Sequence, residues 1–153
     1  MNIIAAVKVR GTVRANPDVR KTLALLRLFK TNHCVLLKDT PANKGMLKKV
    51  KDYITWGVVS KDTIEKMIRK RGRLQGNKRL SEENLKKYNI DINKLVDAIY
   101  AGKITLKETQ LKPIFRLRPP RKGYERKGIK KPVTIGGALG ERQNMDELLN
   151  RMI

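Results

Sequence analysis

The residues with the clearest chemistry are the lysines and arginines of one segment, Lys112–Lys131. The segment reads KPIFRLRPPRKGYERKGIKK and sets nine lysines and arginines against a single acid, Glu125. Guanidinium and ammonium groups bind phosphate, and the planar guanidinium does so through two parallel hydrogen bonds. This composition predicts a polyanion-binding segment, and RNA is the polyanion that we expect.

Prolines and glycines interrupt every part of this segment that could become a helix or a central strand. They are Pro113, Pro119, Pro120, Gly123 and Gly128. A sequence so rich in charge buries little apolar surface to offset the entropy of ordering its backbone. We therefore expect the segment to become ordered by contact with RNA rather than by contact with the rest of the chain.

Positive charge extends over the whole chain. Its 153 residues include 36 Lys and Arg against 14 Asp and Glu, which gives a formal net charge of +22. Such an excess destabilises a compact state by self-repulsion, and a phosphate backbone relieves it because bound Lys and Arg release condensed counterions. A membrane-surface protein would need a strongly amphipathic helix with aromatic anchors, and the sequence shows none. Nucleic acid is therefore the predicted partner, without a membrane.

The length and the 40% apolar fraction suit one domain with one modest core. A single cysteine, Cys34, excludes an internal disulfide and a cysteine-rich zinc site. Apolar runs are too short for a membrane span or for the apolar region of a signal peptide. We expect an intracellular protein without a metal or another cofactor.

Two reactive residue types stand side by side at His33 and Cys34, which suggests a nucleophile and its base. The surrounding residues predict a strand, where neighbouring side chains point to opposite faces and cannot share a hydrogen bond. The sequence has no second histidine that could replace His33. We expect one of the two in the core, the other at an edge or facing RNA, and no catalytic role.

The carboxylates and glycines also predict no active site. Glu82–Glu83 and Asp146–Glu147 fall in the first turns of predicted helices, where acids favour the helix dipole. A two-metal nuclease needs several converging acids, which the first sixty residues do not supply. The run Gly136–Gly140 lacks the Gly-Lys-Ser/Thr end of a phosphate-binding loop, so it indicates a tight turn with close backbone approach. The sequence indicates no enzyme.

Aromatic residues are too few for a sheet that stacks unpaired bases, and the first predicted strand has none. Tyr124, between Lys122 and Arg126, is the aromatic residue that we expect to stack on a base. The remaining contacts would be phosphate and shape contacts from loops and helix flanks. Scattered cations such as Lys8 are expected to be solvated surface charges.

Three strands and two proline-capped helices are predicted in the first sixty residues. Ile3–Val9, His33–Lys38 and Tyr53–Val59 are apolar runs that predict strands. Asn16-Pro17 and Thr40-Pro41 each place a proline after a good N-cap residue. The predicted order is therefore β-α-β-α-β.

Helical spacing predicts which side chains of these two helices face the core. The inward residues are Val19, Leu23 and Leu26 on the first helix and Met46, Leu47 and Val50 on the second. Arg20 and Arg27 are expected to share a flank of the first helix, and Lys44 is expected on the outer side of the second. These three cations are therefore candidates for RNA contacts.

Shorter helices are predicted in the remainder of the chain. Gly72 is the expected C-cap of the first of them, and Glu147 is expected to complete a capping box at the last. The residues expected to begin these helices are Ser60, Ser81, Asp91 and Asn144. We divide the chain into residues 1–59, an RNA-binding core, residues 60–110, a helical insertion, and residues 111–153, the extended basic segment with a C-terminal helix.

Several runs resemble the L-thirty family of large-ribosomal-subunit proteins, whose eukaryotic members bear the number seven. The runs are His33–Pro41, Gly45–Leu47 and Tyr53–Gly57, together with Leu111–Gly123 and Gly136–Gly137, which match the longer archaeal form. The resemblance covers nearly the entire chain. The chain departs from it at Ala42–Lys44, in a variable part of the family.

The resemblance implies an α+β fold, similar to ferredoxin-like folds, with a three-stranded antiparallel sheet, a central first strand and two helices on one face. It also implies a structural role in the large ribosomal subunit, within the cytoplasm. The implied partners are large-subunit ribosomal RNA and neighbouring large-subunit proteins. No catalytic site, cofactor or small-molecule substrate is implied.

The expected RNA contacts lie after the first strand, on the first two helices, after the third helix and along the basic segment. They are Arg10, Arg14, Arg20, Arg27, Lys44, Arg71, Arg73, Arg116, Arg118, Arg121, Lys122, Tyr124, Arg126, Lys127, Lys130 and Lys131. Among these, the arginines of the basic segment are the expected phosphate anchors.

Two alternatives stay open at this point. The first is a DNA-binding or chromatin protein that uses residues 61–101 as a helical reader, although no Gln, Asn or Arg array there has one-turn spacing toward base edges. The second is an RNA-processing enzyme on a ferredoxin-like core, which would need His33 for turnover.

Overall fold

A computed structural model describes residues 2–81, 84, 91–106 and 109–153, and it places helices on both faces of one sheet. The strands are β1 (Ile3–Lys8), β2 (His33–Lys38), β3 (Ile54–Val58), β4 (Phe115–Arg116) and β5 (Gly140–Glu141). The α-helices are α1 (Pro17–Leu25), α2 (Pro41–Lys49), α3 (Lys61–Arg71), α4 (Ile92–Tyr100) and α5 (Met145–Met152). The short helix predicted from Ser81 and Glu82–Glu83 lies outside the described residues.

The three long strands form the middle of the sheet, with β1 between β2 and β3. β1 is antiparallel to both neighbours, and Ala5 stands opposite Leu36 on one side and Gly57 on the other. Every residue of β1 is buried, as in a strand covered on both faces. The predicted β-α-β-α-β order and the implied central position of the first strand are confirmed.

Two short strands widen the sheet beyond the three strands that were expected. β4 is antiparallel to β2, with Phe115 opposite Cys34, and β5 is parallel to β3, with Glu141 opposite Trp56. The resulting order is β4-β2-β1-β3-β5. The α+β class is confirmed, but the three-stranded sheet is wrong, because the pairing of two-residue strands is set by tertiary contacts with distant residues.

Helices α1 and α2 cover one face of the sheet. Alternate residues of β1, such as Ile4 and Ala6, share a buried cluster there with Leu23 of α1 and Leu47 of α2. The side chains predicted to face inward on these helices all belong to this cluster or pack against it. The helical periodicity of the sequence therefore identified this layer correctly.

Helices α3, α4 and α5 cover the opposite face, which the sequence left unassigned. Ala5 shares a second buried cluster with Ile64, Val96 and Leu148, each of which is fully buried. Residues of all three predicted ranges of the chain thus contribute to one core cluster. The range boundaries themselves stay a prediction.

Side-chain caps begin four of the helices as predicted. The capping residues that accept first-turn amide hydrogens are Asn16, Thr40, Ser60 and Asp91. The capping box predicted for α5 is wrong, because the side chain of Asn144 makes no cap hydrogen bond. Asp146, in the first turn of α5, instead accepts the Ser60 amide hydrogen at 3.0 Å. This hydrogen bond joins the start of α5 to the start of α3.

Candidate nucleic-acid interface

Residues 117–139 form a strap that crosses one end of the sheet from β4 to β5. The strap is tied to the end at which β1 finishes and β2 begins. The Leu117 amide donates to the carbonyl oxygen of Asn32 at 3.0 Å, and the Asn32 amide donates to the carbonyl oxygen of Lys8 at 2.8 Å. The strap therefore continues the sheet before it turns across its end.

The strap is also bonded to the end of α5. The Arg118 and Arg121 amides donate to the carbonyl oxygens of Met152 and Arg151, each at 3.0 Å. Carbonyl groups in the last turn of a helix lack intrahelical partners and carry partial negative charge. The strap satisfies these carbonyls and holds its arginines over a helix C-terminus, which offsets part of their mutual repulsion.

Apolar side chains attach the strap to the core. Leu117 and Pro120 are buried, and Phe115, two residues before the strap, is 1% exposed. At the other end Ala138 and Leu139 pack with Val9. The segment that was expected to contact RNA rather than the rest of the chain thus packs against the core, and its ordering by RNA stays a prediction.

A strand period in the sequence was the signal for this packing. Phe115 and Leu117 alternate with Arg116 and Arg118, and the first pair is buried whereas the second pair is exposed. Alternation of this kind is typical of a strand with one buried face. The nearby prolines and charges concealed a short stretch that does bury apolar surface.

The single acid of the basic segment anchors the strap. Both carboxylate oxygens of Glu125 accept hydrogen bonds from Arg142, with Nη2 to Oε2 at 3.0 Å, and Nη2 of Arg151 lies 3.6 Å from Oε1. These hydrogen bonds hold the pKa of Glu125 below its usual range. Arg142 is only 9% exposed, so this bidentate pair is stronger than an ordinary surface ion pair. The sequence assigned neither arginine a role.

The end of α3 meets the strap and brings predicted RNA contacts together. Arg71 lies beside Arg73 and Arg118, and burial, followed by the charges of these two neighbours, lowers the pKa of Arg71. Its guanidinium donates to the main-chain oxygen of Ile153 through Nε at 3.2 Å and Nη2 at 2.7 Å. Three arginines from two distant parts of the chain thus share one surface.

Most of the predicted contacts in the basic segment present exposed side chains. Within the described residues none of these side chains forms an ion pair, so their charges remain available to an anion. They are Arg116, Arg118, Arg121, Lys122, Arg126, Lys127, Lys130 and Lys131.

Arg10 and Arg14 follow β1 at the same end of the sheet. The guanidinium of Arg10 lies 5.4 Å from the centre of the Tyr53 ring and donates to the carbonyl oxygen of Asp52 at 3.1 Å. A cation–π contact of this kind orients the side chain without neutralising it. Arg14 is exposed and has a positive φ of 61° in the loop before α1.

The other predicted RNA contacts lie outside the strap. Lys44 pairs with Asp39 at 2.8 Å, and the Asp39 amide donates to Asn2, at the end of the sheet where β1 begins. Arg20 is exposed on α1. Arg27 lies beyond the last residue of α1, with a φ of 60°, so the prediction that it shares a helix flank with Arg20 is wrong.

Tyr124 has a structural environment of its own. Its half-buried ring packs against the cluster of Val9, Ala138 and Leu139, and its hydroxyl donates to Oδ1 of Asn32 at 3.2 Å. Burial raises its pKa. Packing alone accounts for an aromatic residue at this position, and base stacking by Tyr124 stays a prediction.

Lys8 is buried, with 3% exposure, and is not the solvated surface charge that was predicted. Its ammonium group donates to the carbonyl oxygen of Phe29 at 2.8 Å and to the Thr12 hydroxyl at 3.3 Å. Burial lowers its pKa. Lys8 thereby ties the end of β1 to the loop that follows α1.

His33 and Cys34 point to opposite faces of β2, as predicted. Cys34 is fully buried, and burial raises the pKa of its thiol. His33 is half-exposed opposite Arg116, and its Nδ1 accepts the Lys30 amide hydrogen at 3.4 Å. Among the described residues no three His, Cys, Asp or Glu side chains are grouped as metal ligands. Within those residues, too, no helix has the length and apolar character needed to span a bilayer.

A mixed sheet whose end carries a cationic strap with exposed arginines is typical of the class of proteins that bind a phosphate backbone. Residues 4–54 match the family described as ribosomal protein L30p/L7e. The chain is also 51% identical over 151 residues to large ribosomal subunit protein uL30 of Methanococcus maripaludis, across 97% of this chain and 98% of the relative. The chain belongs to the L30p/L7e family of ribosomal proteins.

Further relatives extend the match over the strap and the later helices. The chain is 46% identical over 153 residues to large ribosomal subunit protein uL30 of Methanosphaera stadtmanae, across 97% of this chain and 99% of the relative. Identity to the protein of the same name from Nanoarchaeum equitans is 43% over 155 residues, across the full length of both. The chain therefore matches these relatives along nearly their whole length.

Proposed function

We propose that the chain is a structural constituent of the large ribosomal subunit that binds and stabilises the ribosomal RNA of that subunit. The relatives bear the name of a large-subunit protein, and they match nearly the whole chain. The strap is the observation that supports RNA binding, because hydrogen bonds fix its backbone while its cationic side chains remain exposed. Large-subunit proteins are its expected neighbours, in the cytoplasmic ribosome.

The strap binds through phosphate and shape contacts. Arg118 and Arg121 project from backbone that is bonded to α5, and Arg71 stands beside Arg118 and Arg73. Side chains in fixed positions lose less entropy on binding, so several phosphates can be held at once. The ferredoxin-like order of β1 to β3 supplies the rigid base, and the bound RNA is held in one geometry.

A scaffold role requires no reacting group, and the chain acts without catalysis. The family is ribosomal, and the relatives described above bear the name of a large-subunit ribosomal protein. Neither the DNA-binding alternative nor the RNA-processing alternative gains support from these comparisons. We propose that the strap and the C-terminal end of α3 form the surface that binds the RNA.

Salt dependence tests this surface. The purified protein is titrated with large-subunit ribosomal RNA and with duplex DNA of equal length over a series of KCl concentrations. We expect preference for the RNA and a steep linear fall of log K with log salt. The double variant Arg118→Gln, Arg121→Gln should reduce that slope by about two units.

A matched control is available at the other end of α3. Lys61 pairs with Asp97 and is half-exposed, so Lys61→Gln removes one charge from the chain without touching the strap. Its salt slope should equal that of the wild type. Equal slopes for the double variant and the wild type would contradict the proposed surface, and equal affinity for duplex DNA would contradict specific RNA binding.

A further inference from the structure

A cleft of about 240 Å³ lies along the outer edge of β2. β4 pairs only with His33 and Cys34, so the rest of this edge, Val35–Lys38, has no strand beside it in the described part of the chain. The apolar walls of the cleft come from Leu25, Leu36, Leu37, Ile104 and Pro113. Main-chain groups of a sheet edge and apolar side chains therefore line the same opening.

Two cations stand at this cleft, and none of the described residues that line it is acidic. They are Arg27, which follows α1, and Lys38, the last residue of β2. Asn43 lies beside them, and its amide nitrogen donates to the carbonyl oxygen of Lys38 at 2.8 Å, which leaves the side-chain carbonyl of Asn43 as an acceptor. The charge of the cleft thus fits an anionic ligand.

The apolar rim is unusually exposed for large aliphatic side chains. Leu25 is 66% exposed and Ile104 is 37% exposed, on opposite sides of the cleft. Apolar surface that frames a cleft favours a ligand that buries it. The volume is below the ~300–1,000 Å³ of pockets for drug-sized ligands, so it suits a single flat heterocycle.

We propose that this cleft receives one unstacked nucleotide of the bound RNA. Its base lies between Leu25 and Ile104 against the edge of β2, and its phosphates contact Arg27 and Lys38. Single-stranded RNA is recognised by such capture of splayed bases, whose Watson–Crick edges find donors and acceptors on the protein. The inference rests on the proposed RNA-binding function and adds a base contact to its phosphate contacts.

A protein segment is the competing occupant. An extended segment could add to the open edge of β2 through main-chain hydrogen bonds. The two cations would then require an acidic segment, and the small volume would leave room for one side chain only. RNA supplies both the anion and the flat group from one molecule, so it fits the cleft better.

Photo-crosslinking in assembled large subunits identifies the occupant. The variant Ile104→p-benzoylphenylalanine places the photoreactive group at the cleft, and Ile129→p-benzoylphenylalanine places it on the strap, where Ile129 is 40% exposed. We expect cross-links from position 104 that ribonuclease removes. Cross-links from position 104 to protein alone, or to nothing, would overturn the inference. If position 104 captures no RNA but position 129 does, the proposed RNA-binding function stands and only the cleft inference fails. If neither position captures RNA, both the cleft inference and the proposed function are contradicted.

A cleft-filling variant gives an independent test. Leu25→Trp fills the cleft from its most exposed wall, and its affinity for large-subunit ribosomal RNA should fall by about 5- to 150-fold, the range for loss of one base contact. Because the displaced nucleotide also gives up its phosphate contacts with Arg27 and Lys38, the salt slope should fall by up to about two units. Arg27→Gln should instead reduce the slope by about one unit.

Val58→Trp is the matched control, because Val58 is 48% exposed on β3, which lies on the other side of β1 from the cleft and outside the strap. The unfolding midpoint of each variant is compared with that of the wild type before binding is measured. Ile104→Trp, which fills the opposite wall, replaces Leu25→Trp if the latter is less stable. Wild-type affinity in a folded cleft-filling variant would overturn the inference.

Discussion

Glu125 joins the strap to the core through one carboxylate. The two arginines that it contacts come from β5's flank and from α5, so the carboxylate fixes three segments of chain. Nε of Arg142 and Nε of Arg151 have no hydrogen-bond partner among the described residues and lie out of solvent. Loss of the carboxylate would leave two poorly solvated guanidinium groups facing each other.

Replacement of Glu125 by Gln should lower the free energy of unfolding by about 2 kcal/mol at neutral pH, since a buried charge loses its partner. The pKa of Glu125 is lowered in the folded state. Its stabilisation is therefore present above the ordinary pKa of a glutamate and is lost as the pH falls through the lower folded-state value. Urea unfolding at neutral and acid pH should show the difference between variant and wild type shrinking in acid.

Asp52→Asn is the control for this measurement, because Asp52 is exposed and only its main-chain carbonyl accepts a hydrogen bond. Its stability should match the wild type within a few tenths of a kcal/mol. A Glu125→Gln protein as stable as the control at neutral pH would show that the strap does not depend on this ion pair.

His33 provides a second pH dependence with the same direction, in a higher pH range. Burial, followed by the charges of Arg116, Lys30 and Lys8, lowers its pKa. The unfolded chain therefore binds the proton first as the pH falls below the ordinary pKa of histidine, and the folded state loses stability from there downward. Thermal unfolding between pH 8 and pH 5 should show this loss, and His33→Gln should remove it.

Because the chain has a single histidine, the pKa of His33 can be measured directly. Proton NMR of the imidazole in the native protein and in urea gives the two pKa values without assignment. A native-state value above the value in urea would contradict the placement of His33 among these cations.

Lys8 shows why the contacts of individual side chains were only partly predictable from the sequence. Its place in an apolar strand was visible, but the carbonyl oxygen that accepts its ammonium belongs to Phe29, 21 residues away. The path of the loop after α1 decides that contact. Side-chain partners that depend on such a path follow from the fold and not from local sequence.

Local signals explain why α1 to α4 began where the sequence predicted. A cap residue and the amide that it binds are two or three residues apart, so the sequence contains the whole interaction. The short strands differ in this respect. The Thr55 hydroxyl donates to the carbonyl oxygen of Gly140 at a separation of 85 residues, and no local pattern records that pairing.

Close backbone approach at the Gly136–Gly140 turn was predicted, and Gly137 shows it. A Cβ at Gly137 would stand 2.0 Å from the carbonyl oxygen of Lys131, so the chain must move to admit one. The Leu139 amide donates to that same carbonyl oxygen at 3.1 Å. The second half of the strap is therefore closed by a turn that tolerates only hydrogen at this position.

Gly137→Ala should open this turn while leaving the sheet folded. Amide hydrogen exchange should become faster at Gly137 and Leu139, whose hydrogen bonds to Pro132 and Lys131 close the turn. Gly45→Ala is the control, because Gly45 lies in α2 with nothing within 4 Å of a new Cβ. That variant should gain up to about 1 kcal/mol from helix propensity. Unchanged exchange at Leu139 in Gly137→Ala would contradict the close approach.

The directions of α3 and α5 determine at which end of the molecule their charged side chains lie. The starts of α3 and α5 meet where Ser60 bonds to Asp146, and their ends meet where Arg71 bonds to Ile153. The two helices are therefore parallel, with acids in their first turns and arginines in their last turns. This order suits both helix dipoles and gathers the cations at the end of the sheet that carries the strap. A molecule charged in this way approaches RNA with that end first.

An ordered strap lowers the conformational entropy that the chain should lose when it binds RNA. The sequence predicted a segment that folds on RNA, and such coupled folding buries roughly 1,000–3,000 Å² and gives a large negative heat-capacity change. Leu117, Arg118 and Arg121 donate amide hydrogen bonds to the rest of the chain, so we expect these amides to exchange slowly already in the free protein at moderate salt. Calorimetric titration with ribosomal RNA at several temperatures should give a heat-capacity change well below the coupled-folding range. Fast exchange at these three amides, together with a large negative heat-capacity change, would mean that RNA and not the core orders the strap.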